Sequence, residues 1–338
     1  MPLYLGDINT RARGLRTHLL PASDLERLAR AASLFALQRE LSGLGYVRSD
    51  APATASSLER AVRRHAASQM AILERWCTDD RRAALAVIFE DEDRRSIQAI
   101  LRGAQQGTAT EARMAGLVPT TSLPERALLT LAAQPTPTDV IRMLALWNHP
   151  LGTPLVAAAG GPHPSLFEIE VELQRAFARR ASARAQLGGS QVVEYVEQLV
   201  DVMNTWSALL HFVERDPSIV DMTFVEGGRW ITRDVFHKLM LLETRPQVEK
   251  RLAWELRRSA LASAFRGDIE NLAQLENRML RAQIDWQKRA VRVDPSGAAP
   301  IIGFAIELRA EVVNLRGIIW GVALQAPAAL IQAEMVVA

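Results

Sequence analysis

The sequence has a single cysteine, Cys77, among its 338 residues. One cysteine excludes a disulfide framework and any zinc site built from several cysteines, and it favours a reducing, cytoplasmic setting. Phosphate-binding glycine motifs are absent, because Gly160–Gly161 and Gly188–Gly189 fit neither the P-loop nor the dinucleotide pattern. The nucleophile motif G-x-S-x-G is absent as well. We therefore expect no catalytic residues, no cofactor and no metal site.

An excess of charge of one sign is also missing. The 40 basic and 38 acidic residues give a net charge of +2, and no lysine-rich or arginine-rich tail is present. A nucleic-acid partner is therefore not predicted.

An uninterrupted membrane-spanning run is missing too. The most apolar stretch, Gly317 to Ala338, is broken by polar residues and by Pro327. A span needs about 20 apolar residues, so we predict two short packed helices with a turn at Pro327. The first residues, Met1 to Asp7, do not have the pattern of a secretory signal.

Helical periodicity is what the sequence does contain. Apolar residues make up 49% of the chain, enough for a sizeable core, and alanine, leucine and arginine dominate. Runs such as Val192, Val196, Leu199 and Met203 place apolar side chains on one helical face, and no sustained strand alternation occurs. The predicted fold class is all-α.

Self-comparison of the sequence finds a frame that occurs three times. In each copy an acid is followed three residues later by asparagine or serine, and apolar residues stand seven and eight positions after the acid. The three pairs are Asp93 and Ser96, Asp201 and Asn204, and Glu311 and Asn314. The acids are 108 and 110 residues apart, a period much longer than that of ordinary helical arrays.

A second block of sequence keeps step with the frames. Val118, Val225 and Val336 stand downstream of the three acids and are 107 and 111 residues apart. Copy three stops where the other two continue, and the N-terminal segment 19–27 reads like segment 117–126. Both segments then run on as amphipathic helix, to Tyr46 and to His149. The predicted domains are therefore 58–165, 166–270, and 271–338 completed by 1–57, in a compact pseudo-threefold arrangement.

Both ends of the chain carry a family resemblance. The opening pattern of Tyr4, segment 9–15, Leu19–Leu20 and segment 24–26, and the closing segment 307–321 with Glu311, Asn314 and Arg316, resemble the C subunit of V/A-type rotary ATPases, called the d subunit in eukaryotes. The resemblance covers the whole length of the chain. It departs from the family pattern at Ser96 and at Asn204–Thr205–Trp206, which predicts that copy one or copy two packs or contacts partners differently.

The resemblance implies a funnel of three helical subdomains. It also implies a non-catalytic central-stalk subunit at the cytoplasmic face of the membrane, bound to the membrane rotor ring and to the D and F subunits of the shaft. Asp93, Ser96, Asp201, Asn204, Glu311, Asn314 and Arg316 are then signature residues with a structural role. Metal ligation is the competing interpretation of the acids, but their spacing does not bring ligands together.

Two other functions remain open from the sequence. A helical enzyme would need a cleft with convergent acids, bases or a metal. An all-helical scaffold or regulator outside the ATPase would account for the helices but not for the split third copy.

Overall fold

The protein is all-α in its computed structural model, which describes residues 4–50, 52–161, 165–211 and 222–336, with the side chain of His211 outside the description. No strand occurs in these ranges, so the predicted fold class is confirmed. Val337 and Ala338, which end the third copy of the second block, lie outside the described residues.

The helices of the first half are α1 (Gly6–Arg16), α2 (Ala22–Leu28), α3 (Leu34–Gly43), α4 (Ala55–Trp76), α5 (Asp79–Gln105), α6 (Thr110–Arg113), α7 (Glu125–Ala132), α8 (Pro137–Leu146) and α9 (Leu155–Ala159). Those of the second half are α10 (Leu166–Ala185), α11 (Ser190–His211), α12 (Arg233–Met240), α13 (Arg245–Glu255), α14 (Leu272–Val293), α15 (Ala299–Ala323) and α16 (Ala328–Ala333). Two short 3-10 turns follow α13, at Leu256–Arg258 and Ala262–Phe265.

One order of helices occurs three times along the chain. A long helix (α4, α10 or α14) precedes a helix that carries one of the sequence frames (α5, α11 or α15), which we call the signature helix. A pair of short helices belongs with each signature helix: α7 and α8, α12 and α13, and α2 and α3. The domain boundaries 58–165, 166–270 and 271–338 with 1–57, and the pseudo-threefold funnel, stay predictions.

Polar caps explain where the second helix of each short pair begins. The hydroxyls of Ser33 and Thr136 accept hydrogen bonds from backbone amides three residues later, at 3.2 Å in both cases. Thr244 donates its own amide to the side chain of Gln247, at 3.1 Å. Each cap satisfies a backbone group that the first helical turn leaves unpaired.

The chain divides into two compact units. The first unit comprises 78–114 and 122–268 together with the first four residues. In it α10 packs against α5, α9 and α11, α5 also packs against α8, and α11 packs against α12 and α13. Two of the signature helices, α5 and α11, thus belong to this unit.

The second unit comprises 5–77, 115–121 and 269–338. Its centre is α15, which packs against α1, α2, α3, α4, α14 and α16. Apolar side chains from all around α15 are buried, as expected of a helix surrounded by others. Segments from both ends of the sequence therefore share one core.

The C-terminal apolar stretch turns at Pro327, as predicted. Its first part is the end of the 25-residue helix α15, and its second part is the six-residue helix α16, which begins after Pro327. Among the described residues, no helix combines the length and apolar character that crossing a membrane requires.

Candidate functional site

The three frame acids lie buried on the signature helices. Asp93 on α5, Asp201 on α11 and Glu311 on α15 have exposed fractions of 2%, 1% and 5%. A buried carboxyl group is costly unless hydrogen bonds replace its water. We call each acid, its neighbour three residues later and the groups that they bind a clasp.

The second clasp closes on a segment that follows its own helix. The side-chain amide of Asn204 donates to the carbonyl of Val225 at 2.8 Å and accepts from the amide of the same residue at 2.9 Å. The carboxylate of Asp201 accepts from the backbone amides of Trp230 and Ile231, at 3.1 and 2.9 Å. All of these partners lie within 30 residues of the acid along the chain.

Two glycines let this segment approach Asp201. Gly227 has a φ of +110°, a region that other residues rarely adopt. A Cβ atom on Gly228 would stand 2.5 Å from Oδ1 of Asp201. The glycine pair is therefore required for the backbone amides to converge on the carboxylate.

The third clasp has the same asparagine geometry but a different source of donors. Asn314 donates to the carbonyl of Val336 at 2.9 Å and accepts from its amide at 2.7 Å. Glu311 accepts from the backbone amide of Leu20 at 2.6 Å and from the hydroxyl of Tyr46 at 2.7 Å. The N-terminal segment thus supplies what the local segment supplies in copy two.

These bonds correct one detail of the sequence comparison. The sequence matched Leu20 with Val118, but the amide of Leu20 binds Glu311 as the amide of Ile231 binds Asp201. Counted from the frame acid, the residue of copy one that is equivalent to Ile231 stands five positions after Val118. The error arose because the pattern of an apolar residue followed by proline is short and occurs twice nearby, at Val118–Pro119 and at Leu123–Pro124.

The first clasp uses side chains. Asp93 accepts a hydrogen bond from the hydroxyl of Ser122, and Nε2 of His149 lies 3.4 Å from the same carboxylate oxygen. Nδ1 of His149 accepts from the amide of Leu151 at 3.3 Å, which orients the ring with Nε2 towards Asp93. His149 contacts Asp93 in the first clasp as Tyr46 contacts Glu311 in the third.

Ser96 occupies the asparagine position of copy one and is buried. A serine has one polar atom, so it cannot form the two-bond ring that an amide forms with one backbone residue. Segment 115–121, which contains Val118, belongs to the second unit. There Gly116 donates its amide to Glu59 at 3.0 Å, and Thr121 donates its amide to Glu74 at 3.2 Å.

Arg316 and Trp320, on the signature helix of the third clasp, also contact Glu59. Nε1 of Trp320 donates to Glu59 at 2.9 Å, and Nε of Arg316 lies 3.3 Å from it. The signature residue Arg316 therefore contacts Glu59, a carboxylate that was not predicted from the sequence.

An equivalent contact occurs in the first unit. Gln98 donates to Glu170 at 3.0 Å, and Arg102 forms two bonds to it, at 2.6 and 2.7 Å. Gln98 and Arg102 stand five and nine residues after Asp93, as Arg316 and Trp320 stand after Glu311.

Glu59 and Glu170 are contact positions that sequence reasoning missed. Each is the fifth residue of a long helix, α4 or α10, and the two are 111 residues apart, the spacing of Val225 and Val336. That spacing was the available signal. Copy two has Trp206 and Leu210 at the corresponding positions of its signature helix, without a charged side chain.

Burial sets the electrostatics of the clasps. Desolvation raises the pKa of Asp201 to about 6, although the amides of Ile231 and Trp230 oppose the shift. Desolvation likewise raises the pKa of Glu311 to about 6, against the bonds from Leu20 and Tyr46. The pKa of the Tyr46 hydroxyl is raised by burial and by the neighbouring Glu311.

The clasps are suited to holding chain segments together. Each acid already accepts hydrogen bonds from the protein itself, and satisfied buried polar networks stiffen the fold around them. Within the described ranges no three residues of the types His, Cys, Asp and Glu are grouped so that they could hold a metal ion.

Comparison with known proteins gives two findings. The family model described as ATP synthase (C/AC39) subunit matches residues 8–334. The chain is also similar to the C subunit of the V-type ATP synthase from each of two strains of Thermus thermophilus. In each case 26% of 260 aligned residues are identical, over 77% of this chain and 76% of the relative.

Proposed function

This chain belongs to the ATP synthase (C/AC39) subunit family, and on this basis we propose that it is the non-catalytic central-stalk subunit that couples a membrane rotor ring to the D and F subunits of the shaft. In this role it serves ion transport, of protons or sodium, linked to ATP hydrolysis or synthesis. The observation that carries the proposal is the family match over nearly the whole chain, since no part of residues 8–334 is left to a different module.

A coupler must transmit torque without deforming. The clasps supply a physical basis, because each ties a long signature helix to a segment that lies elsewhere in the sequence through buried hydrogen bonds. Breaking such a bond leaves a buried polar group unpaired, at a cost of about 1–3 kcal/mol. The signature helices are thus held at several points against sliding.

Rotor rings and shafts rarely share a symmetry, so an adaptor between them has to bury broad surfaces. Charged residues at the rim of such surfaces orient docking, and buried contacts hold the complex. The chain then associates with the membrane peripherally, through the ring and at its cytoplasmic face.

Native purification tests the partners. The chain carries an affinity tag, and membranes of the source organism are solubilised in mild detergent. We expect the ring subunits and the D and F subunits in stoichiometric amounts. Recovery of the chain alone, or in a complex without any ATPase subunit, contradicts the proposal and favours the scaffold or regulator outside the ATPase.

Transport measurements test the coupling. Complexes depleted of this chain should still hydrolyse ATP in the catalytic head, but vesicles that contain them should no longer move ions. Adding back the purified chain should restore transport. Unchanged transport per ATP in depleted complexes would rule out a coupling role.

A further inference from the structure

A cavity of about 250 Å³ lies inside the second unit, beside the third clasp. Its walls come from the end of α1 and the segment after it, from α14 and from α15. Residues that matter for its chemistry are Arg16, Leu25, Ile284, Lys288, Glu307 and Glu311.

Two cations, Arg16 and Lys288, and two carboxylates, Glu307 and Glu311, line the cavity, and Lys288 is the cation that makes no direct contact with either carboxylate. Arg16 binds Glu307 at 2.7 Å, and Glu311 accepts from Leu20 and Tyr46. Lys288 has neither an ion pair nor a hydrogen bond with any residue in the part of the chain that the structure describes. Lys288 is half-buried as a residue, and an ammonium group in this position favours an anion as its partner.

The remaining wall restricts that anion. Leu19, Leu25, Ile284 and Ala310 present apolar surface to the cavity, which suits an aliphatic chain. Glu307 and Glu311 repel a dianion about twice as strongly as a monoanion, which favours a singly charged ligand over a phosphate dianion. At about 30 Å³ per water-sized volume, the space accommodates about eight non-hydrogen atoms.

We propose that this cavity binds a small aliphatic monocarboxylate, with its carboxylate on Nζ of Lys288 and its hydrocarbon chain against Leu25 and Ile284. The ligand contacts both the N-terminal segment and the body formed by α14 and α15. Occupancy therefore stabilises the attachment of segment 16–25 to the rest of the unit.

Hexanoate, with eight non-hydrogen atoms, is the probe. Thermal unfolding of the purified full-length chain is followed by circular dichroism at constant ionic strength. At about 10 mM hexanoate and a Kd of about 1 mM, Tm should rise by about 2 °C. Saturation-transfer NMR should show contact between the protein and the methylene protons of the ligand.

Lys288→Met removes the charge and keeps the apolar stem, so it should abolish the shift. Lys250→Met, at an exposed lysine of the other unit, is the matched control and should leave the shift unchanged. Hexanol lacks the charge and should give less than half of the hexanoate shift. Circular dichroism without ligand checks that both variants fold.

Three results would overturn the proposal. They are no response of the wild-type chain to hexanoate, an equal response of the Lys288→Met variant, and an equal response to hexanol or to inorganic phosphate. None of these results bears on the coupling function, which is tested by co-purification and transport.

Discussion

The second and third clasps each supply hydrogen bonds to a buried carboxylate, but their donors lie at very different distances along the chain. In clasp two the acid Asp201 takes its backbone donors from 29 and 30 residues downstream. In clasp three the acid Glu311 takes its donors from Leu20 and Tyr46, 291 and 265 residues away. Long loops cost only slightly more entropy than short ones, so burial and hydrogen bonding can decide the arrangement rather than connectivity.

The difference also shows what each clasp depends on. Clasp two needs Gly227 and Gly228 so that its own backbone can reach the carboxylate. Clasp three has no such glycines, because the amide of Leu20 and the hydroxyl of Tyr46 reach Glu311 from a separate segment. Both clasps share one arrangement unchanged, the two hydrogen bonds between the asparagine side chain and the backbone of one valine.

Removing the shared part should have the largest effect. Asn204→Ala and Asn314→Ala each leave the amide and carbonyl of a buried valine unpaired, so each should lower the free energy of unfolding by about 3 kcal/mol. Urea denaturation measures this. Ser96→Ala, at the corresponding position of copy one, is the control and should cost less than about 1 kcal/mol.

Equal losses at the two asparagines would support the equivalence of the clasps. If Asn204→Ala or Asn314→Ala lowers the free energy of unfolding as little as the serine control does, the two asparagine hydrogen bonds contribute little to stability. The repeat signature would then need another explanation.

The pH dependence of stability should distinguish the contribution of the clasp acids from that of the asparagines. The folded-state pKa values of Asp201 and Glu311, about 6, lie above their ordinary values of 3.8 and 4.5. Each carboxyl group therefore contributes stability that is complete below its ordinary pKa and is lost as the pH rises through about 6. The loss should reach ~3 kcal/mol for Asp201 and ~2 kcal/mol for Glu311 by about pH 7.

Urea denaturation of wild type, Asp201→Asn and Glu311→Gln from about pH 4 to about pH 7 measures these losses. The stability of wild type relative to each variant should fall over this range. Asp294→Asn is the control, because hydrogen bonds from Ser296 lower the pKa of that exposed carboxyl below 3.8; its stability contribution then changes mainly below about pH 4, and the difference between wild type and this variant should stay nearly flat over the measured range. Parallel curves for wild type and both clasp variants would contradict the assigned shifts.

A methyl group at Gly228 should damage clasp two alone. The Cβ of Gly228→Ala would meet Oδ1 of Asp201 at 2.5 Å, and overpacking of this kind costs about 2 kcal/mol. Gly14→Ala is the control, since its Cβ would meet nothing within 4 Å and alanine favours a helix. Thermal unfolding distinguishes the two variants, and equal Tm values for them would refute the steric argument.

The sequence predicted the all-helical fold class, which is confirmed, but not the hydrogen-bond donors of the clasps. The signature positions and the three valines could be found from the sequence because each copy of the repeat has similar residue types at those positions. Asp201 and Glu311, by contrast, bind backbone amides of Ile231 and Leu20, and a backbone amide leaves no mark on residue type. Pairing of this kind could be found only from coordinates.

Glu59 and Glu170 were missed for another reason. Their partners differ in chemistry between copies, arginine with tryptophan in one case and arginine with glutamine in the other. A frame defined by residue identity does not detect a carboxylate whose donors change. The spacing of 111 residues between the two glutamates would have identified them.

The smallest predicted effect compares these two carboxylates. Arg102→Gln and Arg316→Gln remove guanidinium groups whose side chains are each 50% exposed, and solvent screens such pairs strongly. Each variant should lose no more than about 1 kcal/mol in urea denaturation, and less in about 1 M salt. The Arg102→Gln variant should lose more stability than Arg316→Gln, because Arg102 makes two short bonds to Glu170, whereas Arg316 makes one longer contact and Trp320 still holds Glu59.

Arg142→Gln, at an exposed arginine paired within one helix, gives the baseline for an ordinary surface pair. If both variants match that baseline, the glutamate contacts position the helices without adding stability, and the clasps alone hold the signature helices in place.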